Sequence, residues 1–127
     1  MKEIMAVIRM NMINKTKEAL LKEGFSSFYC RKVMGRGKRK VDFSLIEDVF
    51  KTEALAESKF IGEFVEMQKL LPKRIITLVV SDEYAEKVVK TIIDVNMTGN
   101  PGDGKIFVTD IPEVVRIRTG EKNEVAI

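Results

Sequence analysis

The chain has 127 residues, 45% hydrophobic and 32% charged, the balance of one globular domain with its own core rather than a disordered chain. A single cysteine, Cys30, excludes an internal disulfide and a cysteine metal cluster, and the lack of histidine removes histidine triads and the usual zinc sites. The net charge of +3 suits anionic small ligands without pointing to nucleic acid, and no apolar run approaches membrane-spanning length, so a reducing cytoplasm with no membrane anchor is expected.

The opening segment MKEIMAVIRM carries Glu3 and Arg9 within its apolar stretch, which reads as a strand rather than a signal peptide. Over residues 2–9, Ile4, Ala6 and Ile8 share one face, and Glu3, Met5, Val7 and Arg9 share the other. Asn14 is the expected cap of a helix, since its side-chain oxygen can accept from a free N–H of the first turn. Ile13, Lys17, Leu20 and Leu21 have helical spacing, and Gly24 supplies a left-handed stop. Residues 25–34, with Phe28, Tyr29 and Val33, form the second predicted strand, which Gly35-Arg36-Gly37 breaks. Residues 36–71 show no strand pattern until their end. After Pro72 a third strand is predicted from Arg74 to Val80. Ser81 is placed to cap a second helix whose first turn holds Asp82 and Glu83, where the helix dipole favours anions. Its apolar face is Ala85, Val88, Val89, Ile92 and Ile93. Thr98–Gly104 is a glycine-rich turn, Lys105–Thr109 a fourth strand and, beyond Pro112, Val114–Arg118 a short final strand.

The order β-α-β-loop-β-α-β predicts an α+β, ferredoxin-like βαββαβ domain spanning residues 1–127, with a long loop between the second and third strands. Two helices cover one side of such a sheet. The other side needs a partner, so an oligomer is expected.

Gly99-Asn-Pro-Gly-Asp-Gly104-Lys105-Ile106 nearly has Walker A spacing, but Ile106 replaces the required Ser or Thr. The context also differs, because this loop follows a helix and opens a strand. An NTPase of that class is therefore excluded. Gly99, Gly102 and Gly104 still let backbone N–H groups face an anion, with Lys105 beside them. Taken alone, the loop is read slightly better as a plain turn. Further cations shift the balance: Arg116 and Arg118, if on a strand, project to one side and can grip a polyphosphate, and Lys73 stands at a strand's start. Surface arginines and lysines are common, and that plainer reading stands beside the functional one.

GDGKIFV at 102–108 and RIRTGE at 116–121, with MKEIMAVIR at the start, Gly35-x-Gly37, LPK at 71–73 and the ending Ala126-Ile127, resemble the signature regions of the PII signal-transduction family. The resemblance covers the chain apart from the interior of the long loop. It implies a trimer of ferredoxin-like subunits, not an enzyme, with ATP or ADP in clefts between subunits. By position, Gly102, Asp103, Gly104 and Lys105 would line the phosphates from one subunit, Arg116 and Arg118 would arrive in part from its neighbour, and Gly35, Gly37 and Lys38 would approach the nucleotide. Lys73, Gly102, Arg39 and Lys40 would meet 2-oxoglutarate.

Three departures from the family stand out. Arg39 occupies the position of a glutamine that helps hold magnesium and 2-oxoglutarate. A guanidinium cannot ligate a metal that way, although it can pair with a carboxylate. Ser27-Phe28-Tyr29 replaces smaller residues at the adenine-side turn. Between Gly37 and Pro72 the chain is longer than typical members, and its only tyrosines, Tyr29 and Tyr84, lie outside that loop, which argues against control by uridylylation. Such a loop is similar to that of the second of two paired PII-like proteins encoded with archaeal nitrogenase. That resemblance implies a homotrimer, or a hetero-oligomer with a paralogous PII-like protein, acting on dinitrogenase as an inhibitor.

The loop has chemistry of its own. Ser44-Leu-Ile-Glu47 is a capping box, followed by the apolar stripe Leu45, Ile46, Val49 and Phe50 and then by Phe60, Ile61, Phe64 and Val65. Packing on the domain or on another subunit's loop and docking on a partner are equally consistent with it. The basic run Arg36, Lys38, Arg39 and Lys40 invites a nucleic-acid reading, but acidic residues follow from Asp42 to Glu57 and no aromatic stacking platform accompanies it. The alternatives carried are a general PII regulator of an ammonium transporter or nitrogen-assimilation enzyme, a nucleic-acid-binding ferredoxin-like module, and a small enzyme, which lacks a visible nucleophile–base pair.

Overall fold

The computed structural model describes residues 1–37 and 70–127. The chain divides into two compact units, Met1–Val33 with Lys73–Ile127, and Met34–Pro72. Most of the second unit lies outside the described residues, including the predicted capping box at Ser44 and the stripe Leu45, Ile46, Val49 and Phe50.

Strand β1 (Lys2–Arg9) leads through a 3-10 turn into helix α1 (Ile13–Lys22), and β2 (Tyr29–Gly35) follows. After the undescribed segment come β3 (Leu71–Val80), α2 (Asp82–Asn96) and β4 (Lys105–Asp110). The sheet order is β2-β3-β1-β4, with β1 antiparallel to both neighbours. This is the ferredoxin-like arrangement predicted from the element order.

Alternation along β1 works as expected: Ile4, Ala6 and Ile8 are buried, while their odd-numbered neighbours are half-buried. Ile76, Leu78 and Val80 of β3, Leu20 of α1 and Val88 and Ile92 of α2 complete one core. Both helices thus cover the same sheet face. The opposite face carries Met5, Val7, Ile75, Val79 and Phe107, and among the described residues no helix covers it. Phe107 is 48% exposed there.

Helix α1 ends as Gly24 requires. Gly24 sits at φ +91°, its N–H donates to the Leu21 carbonyl, and the Phe25 N–H donates to the Leu20 carbonyl. This is a Schellman stop, and only glycine takes that φ without strain. The start of α1 differs from expectation. Asn14 lies inside the first turn, Met12 is the capping residue, and no side chain caps the helix. The 3-10 turn at Met10–Met12 feeds straight into the helix, leaving Asn14 two residues past the cap position. Ser81 does begin α2, but its hydroxyl bonds to Glu124 instead of the first turn. Strand β3 begins earlier than predicted, at Leu71, and takes in Pro72 and Lys73.

The largest correction concerns residues 114–118, which form no strand. Val115 makes one isolated bridge to Lys122, and residues 117–119 turn. The Arg116 N–H donates to the Glu121 carbonyl, the Gly120 N–H to the Arg116 carbonyl and the Asn123 N–H to the Val114 carbonyl, closing a tight hairpin around Gly120 at φ +70°. The alternation that suggested a strand is too short to outweigh the Thr-Gly turn chemistry beside it.

Candidate functional site: a cationic corner under a glycine loop

Helix α2 ends at Asn96, and the chain reaches β4 through residues 97–104. Three glycines there adopt positive φ: Gly99 at +83°, Gly102 at +98° and Gly104 at +117°. Gly104 is required twice over. A β-carbon on it would lie 2.0 Å from the Val7 carbonyl oxygen, so the loop rests directly on the β1 backbone. A β-carbon on Gly102 would meet Arg9 Nη2 at 3.4 Å and Lys73 Nζ at 3.9 Å.

Asp103 holds the loop's shape. Its carboxylate accepts from the Thr98 N–H at 2.8 Å, the Gly99 N–H at 3.0 Å, the Thr98 hydroxyl and Arg9 Nη1 at 2.6 Å. These donors, the Thr98 hydroxyl foremost, hold its pKa well below the usual carboxylate range. The carboxylate is therefore fully occupied inside the loop. Arg9 also donates to the Pro101 carbonyl at 3.2 Å, and Lys73 Nζ donates to the Gly102 carbonyl at 3.3 Å.

The strand register explains why these cations meet. Arg9 pairs with Lys73 across β1 and β3, and Val7 pairs with Lys105 across β1 and β4. Directly paired residues project to the same face, so Arg9, Lys73 and Lys105 all rise from the face opposite the helices. Arg9 is balanced by Asp103. Among the described residues, neither Lys73 nor Lys105 belongs to an ion pair. The corner thus combines two ammonium groups with a glycine backbone, a setting that favours an anion.

Gly102, Asp103, Gly104, Lys105 and Lys73 are therefore brought together as expected. Arg116 and Arg118 lie on the C-terminal hairpin. Arg116 is held there by Glu121 at 2.7 Å and the Val125 carbonyl at 2.8 Å. Arg118 is exposed on the hairpin's turn, next to Ile117, which is 100% exposed. Among the described residues, no hydrogen bond ties this hairpin to the glycine loop. Gly35 closes β2, and Gly37 is the last described residue before the gap. Neither has a positive φ in the left-handed range or a neighbour within 4 Å of a virtual β-carbon, so nothing in the described chain demands glycine there. Lys38, Arg39 and Lys40 lie outside the described residues. At the Ser27-Phe28-Tyr29 turn, Phe28 packs against the core and Tyr29 is exposed. Arg9 and Thr98 are the site residues that sequence reasoning missed. Arg9's position beyond the last inward residue of β1 and opposite Lys73 was the available signal.

The family profile described as nitrogen regulatory protein P-II matches residues 1–121. The chain belongs to the PII family of nitrogen regulatory proteins. Among curated PII-family relatives, it is 43% identical to the nitrogen fixation nifHD1 region GlnB-like protein 2 of Methanosarcina barkeri, over 100% of this chain and 99% of that one. It is 48% identical to the nifHD region GlnB-like protein 2 of Methanobacterium ivanovii, with the same coverage. A crystal structure of Arabidopsis thaliana PII bound to citrate superposes on it with a TM-score of 0.70 at 29% identity, covering 98% of this chain and 87% of the plant chain. The PII fold expected from the motifs GDGKIFV and RIRTGE is thus the fold observed, and the family is one of regulatory signalling proteins. Among the described residues no helix is long and apolar enough to cross a membrane.

Proposed function

We propose that this PII protein senses cellular nitrogen state in the cytoplasm by binding ATP or ADP together with 2-oxoglutarate, and that it restrains dinitrogenase by protein–protein contact. The observation that carries the reading is the corner where Gly102–Lys105 lies against β1 beside Lys73 and Lys105. Its glycine backbone admits a polyphosphate closely, and its two ammonium groups, which belong to no ion pair among the described residues, attract both a phosphate and a dicarboxylate. The citrate in the plant PII crystal is a polycarboxylate, in keeping with anion capture by that relative. The nitrogenase target is supported by the relatives named for the nifHD region.

Assembly follows from the sheet face that no described helix covers. Met5, Val7, Ile75 and Phe107 form an apolar surface that a second copy, or a paralogous PII-like protein, buries. A trimer brings Arg116 and Arg118 of one subunit to the glycine loop of the next. Among the described residues no hydrogen bond ties the hairpin to its own loop, in keeping with that arrangement. The segment at about 36–71 is the effector, with Gly35, Gly37 and Lys38 meeting the nucleotide, Arg39 and Lys40 meeting 2-oxoglutarate, and Leu45, Ile46, Val49 and Phe50 meeting the target. A ligand shifts such a segment only through its difference in affinity for two of its states, and coupling of about 1–3 kcal/mol is typical. No step is assigned to magnesium, because Arg39 replaces the family's usual glutamine and cannot ligate it.

The test is calorimetry of the chain, alone and with any PII-like paralogue, using ATP with and without 2-oxoglutarate. It is followed by a dinitrogenase assay comparing wild type with a deletion of residues 43–62. Wild type should bind ATP, inhibit dinitrogenase and be released by 2-oxoglutarate, while the deletion binds ATP and does not inhibit. Inhibition that survives the deletion with its 2-oxoglutarate response intact sinks the effector assignment.

A further inference from the structure

Between α2 and the start of β4 lies a groove with a cavity volume of about 400 Å3, within the range of about 300–1,000 Å3 typical of small-molecule sites. Its walls are apolar: Val89, Ile92 and Ile93 of α2, Met97 just past the helix and Ile106 of β4. The glycine loop closes one end. Ile106 stands across from Ala6, a fully buried residue of the helix-covered face, so the groove lies on that side of the sheet. Lys73 rises from the other face, and the cationic corner is a separate place. Among the helix residues that line the groove one is polar, Asn96, and it is 5% exposed.

The Asn96 amide has one stable orientation. The Thr16 hydroxyl donates to the Met12 carbonyl at 2.7 Å, so towards Asn96 it can only accept, and Nδ2 donates both to it, at 3.0 Å, and to the Ile92 carbonyl, at 2.9 Å. Turning the amide over would set its oxygen against the Ile92 carbonyl oxygen. Both Nδ2 hydrogens are therefore committed, and Oδ1 occupies the other corner of the amide, away from Thr16. It is buried and accepts from no group among the described residues. A buried acceptor left in that way is destabilising, and a donor that reaches it removes the cost.

We propose that this groove is a binding site for a neutral small molecule with an apolar body and a single N–H or O–H donor, which Asn96 Oδ1 accepts. The body packs on Val89, Ile92, Ile93 and Ile106. A charged head is disfavoured, because Asn96 has no charge to offset its desolvation. The Asp103 carboxylate at the groove's end is already occupied by the Thr98 and Gly99 N–H groups and by Arg9. Such a ligand lies against the helix side of the sheet, outside the anion site, and the proposal does not depend on the nucleotide reading of the corner.

The experiment titrates the full chain with indole and with benzofuran, which has the same fused-ring frame with an oxygen in place of the N–H, and follows amide and methyl NMR signals. Indole should shift the Asn96 side-chain amide and the methyls of Val89, Ile92 and Ile106, and should bind at least about fivefold tighter than benzofuran, the low end for satisfying a buried acceptor. In Thr16→Val/Asn96→Leu, which removes the acceptor together with its partner, benzofuran should bind as tightly as indole or tighter. If that variant fails to fold by circular dichroism, Ile93→Trp decides: it fills the groove from a wall residue that is 42% exposed, and it should abolish the indole shifts. Equal affinity of the two probes for wild type, a preference for indole that survives in the double variant, or indole binding untouched by Ile93→Trp overturns the proposal. Shifts on Val7 and Lys73 in place of Val89 and Ile92 put the probe in the cationic corner and also overturn it. So does the failure of both probes to bind at millimolar concentration, the result expected if a second copy of the chain covers the groove.

Discussion

Replacing Gly104 with alanine tests both the loop's geometry and its function. The added β-carbon would sit 2.0 Å from the Val7 carbonyl oxygen and 3.1 Å from its carbon, at φ +117°. Since ordinary contacts to a β-carbon begin near 3.4 Å, the loop must lift by about 1 Å or more. Lifting it loosens the Val7–Lys105 pairing at the start of β4. The backbone strain costs about 1–3 kcal/mol, and one weakened ladder bond adds about 0.5–1.5 kcal/mol. Gly104→Ala should therefore lose about 2–4 kcal/mol of stability, seen as a lower urea midpoint with an unchanged slope at fixed protein concentration. ATP binding should fall more than stability alone accounts for, because Lys105 and the loop N–H groups move together. Gly120→Ala, at φ +70° with open space around it, is the control and should lose only about 1 kcal/mol and leave the loop intact. If Gly104→Ala keeps the wild-type midpoint and ATP affinity, the loop does not rest on β1 as described.

Lys105→Ala and Arg118→Ala should each weaken ATP binding by about 1.5–3 kcal/mol, the scale of a hydrogen bond to a charged group, and two variants that bind like wild type refute the cleft assignment. Asp103 has a depressed pKa, so its stabilisation is fully present above the ordinary carboxylate pKa of about 4 and is lost as the pH falls below it. Urea titrations at pH 6 and pH 3 should show Asp103→Asn losing less stability on acidification than wild type. A third outcome concerns the buried pair between the helices, where Asn96 donates to the Thr16 hydroxyl at 3.0 Å and to the Ile92 carbonyl at 2.9 Å, while its own side-chain oxygen has no partner among the described residues. Thr16→Val should cost about 1–3 kcal/mol by stranding the Asn96 amide, and Thr16→Val/Asn96→Leu should recover most of it in thermal melts, since two apolar groups leave nothing unsatisfied.

The elements with a strong local signal were legible in the residues. Alternation in β1 separated Ile4, Ala6 and Ile8 from their neighbours because a half-buried strand alternates at period two whatever surrounds it. Gly24 announced the end of α1 because only glycine takes that φ freely. The glycines of the loop were legible for the same reason, and Lys105 by its charge beside them. What the residues alone left open was decided at longer range. The cap expected at Asn14 was displaced by a 3-10 turn, and the strand expected at Val114–Arg118 became a hairpin held by Glu121 and Asn123. Arg9 could not be paired with Asp103, 94 positions away, without the sheet register. Local chemistry names the groups that can bind an anion, and the antiparallel pairing of β1 with β3 and β4 sets Arg9, Lys73 and Lys105 on one face, because side-chain direction across a sheet is fixed by register and not by sequence spacing.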